Sequence, residues 1–412
     1  MSATYQPVDT LHLWWLADPS APRHIGTLRL VRRAGTQPGG VSVEYAPEWI
    51  GAGQGLSEDL PLQPGEFMPA EANAAAGAVD DARPDRWGER VIRLIDRPAR
   101  LSTLEYLYFA GDNRFGALGV SSSDRAYLPR RYGPLPVLAD VQTVRDLVRQ
   151  VEAGEPVEES LRCLVAPGAT LGGARPKALV NLDGQEWVLK FGEAGDPLDS
   201  PLIEHATMTL AARAGIEVCE TRALRITDGH AVAIRRFDRA GAVRLHALSA
   251  HVALRAAGQN YGYPELALLL RRRADAAVFA AQGAQLFRRM AFNILIDNTD
   301  DHEKNHALLA DERQQYRLAP AYDVLPSGQA LGYQQMRIGK SGADSTLENA
   351  LSECRSFALT PSQAAQICRE VAAAAGSWRA HFAATGVSGR DIELVAEQID
   401  RPFLLDQRTA QG

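Results

Sequence analysis

The nine residues from Asn298 to His306, NTDDHEKNH, carry three acidic side chains, two histidines, a lysine and two asparagines. Asp300 and Asn305 stand in the spacing D-x-x-x-x-N, and a further aspartate, Asp323, closes the segment APAYD downstream. Asp301 does not share the spacing, because His306 occupies the place of its asparagine. Phosphoryl transfer needs such a set: a carboxylate that orients an attacking hydroxyl and accepts its proton, and oxygen ligands that hold Mg²⁺ against phosphates. Asp300 suits the first task; Asn305 and Asp323 suit the second. The stretch also spells H-E-x-x-H at His302–His306, a zinc-protease pattern that needs both histidines one turn apart on a helix, with Glu303 as base. A solvated acidic loop without chemistry is the third reading.

The elements on either side separate these readings. Leu286, Phe287, Met290, Ile294 and Leu295 recur at helical spacing, so a buried helix delivers the chain to the polar cluster. HALL, the turn-like ADER and YRL then read as a short hairpin, with Asp323 just beyond. Helix, polar loop, hairpin, aspartate is the layout of a protein-kinase catalytic centre. HEKNH falls past the helix and runs into a strand, which does not suit zinc, and His302 reads as a residue that orders the loop at the nucleotide site. GKS at 339–341 resembles the end of a Walker A motif, but Gln334 stands where its first glycine is required.

Upstream, ALVNL and QEWVLKF flank Asp183-Gly184, a favoured tight-turn pair, and predict a hairpin. Before it, Gly168, Gly172 and Gly173 make a loop whose N–H groups could approach phosphates, although it is neither G-x-G-x-x-G nor Walker A. Lys177 and Lys190 flank or occupy the hairpin, where a strand lysine reaches α- and β-phosphates. Lys190 sits within WVLKF, sharing a face with Val188. A lysine there lies at a sheet edge or needs a partner. LIEHATMTLAARAG predicts a helix with Glu204 in its first turn, the candidate partner for the strand lysine; a helix-dipole glutamate is the plainer reading. AVAIRRFDR (231–239) reads as the strand leaving a small lobe, where an ATP hinge would lie, with Phe237 as a nucleotide-contact candidate.

The remaining sequence bounds the setting. A chain of 412 residues with 46% hydrophobic and 23% charged residues has material for two to three packed units. A net charge of -6 argues against a chain that coats nucleic acid by itself. Cys163, Cys219, Cys354 and Cys368 are scattered without CxxC, which suggests neither a cysteine zinc site nor a disulfide framework and fits a reducing cytoplasm. No signal peptide and no membrane-spanning run are expected. Residues 9–15 and 26–32 read as paired strands continued by VSVEYAPEWI, with Val41, Val43 and Tyr45 on one face and Ser42 and Glu44 on the other. DDARPDRWGERVIRLIDR and LSTLEYLYFAG read as helices, the second N-capped by Ser102, and Trp14 and Trp15 as core. YLPRRYGPLPVL (127–138) reads as a boundary. Arg244–Gln285 and Ser345–Gln407 read as mainly helical, with Arg271–Arg273 a solvated helix end.

These segments, taken together, resemble the HipA family, serine/threonine-kinase toxins of bacterial toxin–antitoxin modules. VSVEYAPEWI, DDARPDRWGERVI and AGDNRFGALGV resemble that family's N-terminal subdomain. GARPKALV, VLKF, IEHATMTLA, IRRFDR, NTDDHEKN and LAPAYDVLP resemble its kinase core in the same order. The resemblance implies an α+β, protein-kinase-like bilobal fold with a β-rich N-terminal subdomain (1–130), a small lobe (131–239) and a mainly helical large lobe (240–412). It implies ATP and Mg²⁺ as cofactors, with Asp300 as the catalytic aspartate, Asn305 and Asp323 as metal ligands, and Lys177 and Lys190 at the nucleotide. Thr170 falls where the family carries an autophosphorylated serine. A HipB-like helix-turn-helix antitoxin, operator DNA bound mainly through it, and an aminoacyl-tRNA synthetase as substrate are the implied partners. Arg235 departs from a typical hinge glutamate, and HALSAHVAL lacks the family's Glu-Asp pair. A small-molecule kinase and a pseudokinase that serves only as the antitoxin's partner are the alternatives.

Overall fold

Alternating apolar residues in the N-terminal third form strands β1 (Thr10–Trp15), β2 (Arg23–Arg32) and β3 (Pro38–Tyr45). With β4 (Glu66–Phe67) and β5 (Leu118–Ser121) they make an antiparallel sheet in the order β4-β3-β2-β1-β5. Leu11, Leu13, Ile25, Leu28, Val41 and Val43 are fully buried on it, each contributing about 1.5–3 kcal/mol relative to exposure. The computed structural model describes residues 5–32, 38–130, 133–158, 161, 164 and 175–410; Thr170, Gly172, Gly173 and Cys163 lie outside them.

One expectation for this region changes. APEWI does not extend β3: Pro47, which has no N–H for a ladder, opens helix α1 (Pro47–Ala52) instead. Ser42, on the face opposite Val41 and Val43, is also buried, its hydroxyl donating to Glu66 Oε1 at 2.6 Å. Helices α2 (Arg86–Val91) and α3 (Thr103–Phe109) follow, and Ser102 caps α3 in a reciprocal box with Glu105. Trp14 is buried, and Trp15 stacks at 5.6 Å on Trp49. After α4 (Val141–Ala153), strands β6 (Lys177–Leu182) and β7 (Gln185–Phe191) turn through Asp183 and Gly184, both left-handed at φ 53° and 77°. Every residue from Trp187 to Phe191 is buried, so Lys190 has no wet face to turn to.

These elements, up to Leu189, form one compact unit with residues Arg236–Leu248 and Leu309–Gln314. The 236–248 segment is stitched in by polar bonds. Arg236 donates to Asn113 O and Arg114 O (2.8 and 2.9 Å), Arg244 donates to Asp112 O (2.6 Å), and His246 meets Leu56 O (2.7 Å). It contains short strands where the sequence suggested helix, since the helical pattern starts only at Ala250.

The second unit comprises Lys190–Arg235, Ser249–Leu308 and Gln315–Gly412. Helix α5 (Ser200–Arg213) starts earlier than expected, because Asp199 caps it and Pro201 fits its first turn. Glu204 therefore lies beyond the first turn, which weakens a helix-dipole role. Strands β8 (Thr221–Ile226) and β9 (Gly229–Arg235) pair antiparallel. Helices α6 (Ala250–Ala256), α7 (Tyr263–Arg273) and α8 (Ala276–Leu295) precede the polar loop, and four helices from Pro361 to Thr409 complete the unit. No helix among the described residues is long and apolar enough to cross a membrane.

Candidate active site

The loop that carries Asp300 is held at both ends. Helix α8 delivers it with Leu286, Phe287, Met290, Ile294 and Leu295 all fully buried. The chain then turns sharply at Asp297, a non-glycine residue at φ 59°. Arg401 pairs with Asp297 Oδ1 at 2.6 Å, and the Ser327 hydroxyl donates to Asp297 O at 3.0 Å. Arg408 donates to the last-turn carbonyl of Leu295 at 3.2 Å. Downstream, residues 303–305 make one 3-10 turn capped by His302, whose Nδ1 accepts from Lys304 N at 3.3 Å.

Within this frame Asp300 is exposed, so its carboxylate can be reached by a substrate. Asn305 is buried and donates to Asp300 O at 3.4 Å. Its Oδ1 is buried without a hydrogen-bond partner. An orphaned amide oxygen is a donor type that Mg²⁺ accepts, so the residue fits the metal role. Tyr322 donates to Lys304 O at 2.8 Å, tying the residue before Asp323 to the residue before Asn305. Asp323 is also left-handed, φ 58°; strained backbone of this kind persists where surrounding structure dictates it and clusters at functional sites.

Asp323 is bound in turn to Lys190. The buried Lys190 ammonium pairs with Asp323 Oδ1 and, at 2.8 Å, with Glu204 Oε1. Burial alone would lower the lysine's pKa; the Asp323 and Glu204 carboxylates outweigh it, and the pKa is raised. β7, α5 and the segment after the hairpin 307–318 thus converge on one cation.

The other candidates lie in the first unit. Lys177 is 1% exposed and its ammonium pairs with Asp85, while Trp87 Nε1 donates to Lys177 O at 2.8 Å. Phe237 stacks edge-on against Phe115 at 5.9 Å. Thr170, Gly172 and Gly173, expected in the phosphate loop, lie outside the described residues.

The H-E-x-x-H pattern is spent elsewhere. Glu303 pairs with His251 at 2.9 Å and His306 Nε2 with Asp301 Oδ1 at 3.1 Å, and no α-helix carries the two histidines together. Asp301 is the residue that sequence reasoning passed over. It is buried, accepts from Tyr263 OH at 2.5 Å, and Tyr263 in turn accepts from Asn293 Nδ2 at 3.1 Å. Burial, then the Asp301 charge, pushes the Tyr263 phenol well above its ordinary value. No local pattern announces this network, because its members are scattered over α7, α8 and the loop.

A family model described as HipA-like C-terminal domain matches residues 169–378, and one described as HipA N-terminal domain matches residues 21–121. A curated protein of Sinorhizobium fredii (strain NBRC 101917 / NGR234), named "Putative kinase Y4dM", is 30% identical over 163 residues, 34% of this chain and 37% of that protein's length. Among solved structures, HipA of Shewanella oneidensis MR-1, in a complex with HipB and its operator DNA, superposes with a TM-score of 0.64 at 17% identity, covering 97% of both chains. The fold is α+β and is that of the Shewanella HipA chain.

Proposed function

The chain belongs to the HipA family, and from that premise we propose that it is a kinase, the toxin of a toxin–antitoxin module. Its reaction moves the γ-phosphoryl of ATP onto a serine or threonine hydroxyl of a protein. The observation that carries this reading is Lys190, buried between Glu204 and Asp323 beside the loop of Asp300 and Asn305. A scaffold has no need of a buried lysine shared by two carboxylates, which costs desolvation on three groups.

In this reading the exposed Asp300 carboxylate orients the substrate hydroxyl and takes its proton. Glu204 fixes the Lys190 ammonium, which meets the α- and β-phosphates. Asn305 Oδ1 and the Asp323 carboxylate would hold Mg²⁺, which would supply charge neutralisation at the phosphates. Lys177, Phe237, His302, Gly172 and Gly173 are further candidates for contact with the nucleotide, and Thr170 is the candidate site of self-phosphorylation. The partners are a HipB-like antitoxin and operator DNA, the two components that accompany HipA in the Shewanella complex. The substrate is an aminoacyl-tRNA synthetase of the cytoplasm.

Incubation with γ-labelled ATP and Mg²⁺, followed by peptide mapping, tests the proposal. Asp300→Asn should keep the wild-type unfolding curve and lower transfer about 10²–10⁴-fold, the usual worth of a general base. Label on wild type at Thr170 supports self-phosphorylation. Equal labelling of wild type and Asp300→Asn refutes the assignment, and nucleotide binding without transfer, even with antitoxin and synthetase present, favours a pseudokinase.

A further inference from the structure

Behind the proposed catalytic loop runs a buried polar chain that the reaction itself does not use. Asn298 Nδ2 donates to Asn293 Oδ1 (3.2 Å), Asn293 Nδ2 to Tyr263 OH (3.1 Å) and Tyr263 OH to Asp301 Oδ2 (2.5 Å). His306 Nε2 closes it on Asp301 Oδ1 at 3.1 Å. All five residues are at most 3% exposed. Groups so deeply buried are retained only when their hydrogen bonds are made, and this chain joins α7, α8 and both ends of the loop. Asp301 and His306 are the direct neighbours of Asp300 and Asn305.

The far side of His306 strengthens the point. In a neutral imidazole whose Nε2–H donates to Asp301, Nδ1 is the acceptor, and Nδ1 is buried with no partner. Arg289 Nε is a buried donor, also without a partner. Both side chains, with Asn305 and Tyr322, line a cavity of about 10 Å³, the size of one water. A water held there would accept from Arg289 and donate to His306, completing the valences of both.

We propose that Tyr263, Asp301 and His306 form a positioning device, completed by one internal water against Arg289, that sets the geometry of Asp300 and Asn305. The inference rests on the kinase reading for its catalytic consequence but not for its mechanical one. Outward-facing Asp300 and inward-facing Asp301 are consecutive, so fixing the second restricts the first. His306 does the same for Asn305.

The test compares wild type, His306→Phe, His306→Gln and Tyr263→Phe in the full chain by amide hydrogen exchange and by transfer kinetics. His306→Phe should speed exchange across 298–306 while leaving β1–β3 unchanged. It should lower kcat about 10- to 100-fold per folded molecule, the usual cost of losing an outer-shell partner, and raise the apparent Mg²⁺ constant with little change in KM for ATP. His306→Gln, whose amide N–H replaces Nε2–H, should recover most of both effects. Tyr263→Phe, a milder deletion, should show the same pattern in smaller measure and serves if His306→Phe does not fold. Unchanged loop exchange and an unchanged Mg²⁺ constant in the folded variants overturn the proposal, as does a loss in His306→Gln equal to that in His306→Phe. Absence of transfer by wild type refutes the kinase reading alone, since the exchange comparison still decides for or against the device.

Discussion

Lys190 shows how a single residue can be read in sequence and still need a structure to be understood. Its place inside WVLKF demanded a partner, and Glu204 was the candidate; the second carboxylate, Asp323, lies 133 positions away and was assigned to metal instead. Removing the lysine takes the cation away from the buried Glu204 and the half-buried Asp323. Lys190→Met, similar in length, should therefore destabilise the protein by about 3–5 kcal/mol, the range for breaking a buried pair, as read by urea unfolding. Lys190→Met with Glu204→Gln should recover part of that loss, because one of the two charges facing the lost cation is gone. The sign of the pH dependence follows from the raised lysine pKa. The pair's contribution is complete below the unfolded value, about 10.5, and is lost only as pH rises through the higher folded one. It is therefore flat across the neutral range, and a wild-type advantage that vanished between neutral and mildly alkaline pH would contradict this account. Asp301 shows the opposite case. The sequence shows only that it lacks the D-x-x-x-x-N spacing of Asp300; its burial against Tyr263 and His306 shows what it does instead.

At the scale of elements, hairpins and capped helices were legible because their signals are local. Asp183-Gly184 adopts the two left-handed conformations its residue types favour, and Ser102 caps α3. The failures are where tertiary partners decide: Pro47 turns a strand pattern into α1, and 244–249 contains strand residues within a run that looked helical. Helix α2 combines the two levels. Asp85 Oδ1 accepts from Gly88 N at 2.9 Å as its N-cap, while Oδ2 meets the buried Lys177 ammonium. Two substitutions separate these roles. Asp85→Asn keeps a capping oxygen and should lose mainly the ion pair, about 3–5 kcal/mol. Asp85→Ala should lose about 1 kcal/mol more, the typical worth of a cap. Thermal or urea unfolding of both variants measures the difference, and equal stability would mean that Asp85 does not act as a cap.

At the scale of the whole molecule, the resemblance divides the chain after 130 and after 239. Contacts group it into two compact units, each assembled from separated segments, and the chain passes between them after Leu189, Arg235, Leu248, Leu308 and Gln314. Sequence patterns are local and give no sign of such returns. The consequence is specific to residues 240–248. Arg244 reaches Asp112 O and His246 reaches Leu56 O inside the first unit, and Trp15 packs on His246 at 5.2 Å. A fragment ending at 239 loses these bonds and leaves buried carbonyls of the first unit unpaired, at about 1–3 kcal/mol for each unsatisfied group. Against the total stability of a typical domain, about 5–15 kcal/mol, that loss is large. Residues 1–248 should therefore be recovered in soluble form in higher yield than 1–239, and with a higher thermal midpoint where both fold. Equal solubility and equal midpoints for the two fragments would show that the nine added residues contribute nothing to the first unit, and that its packing is complete at Arg239.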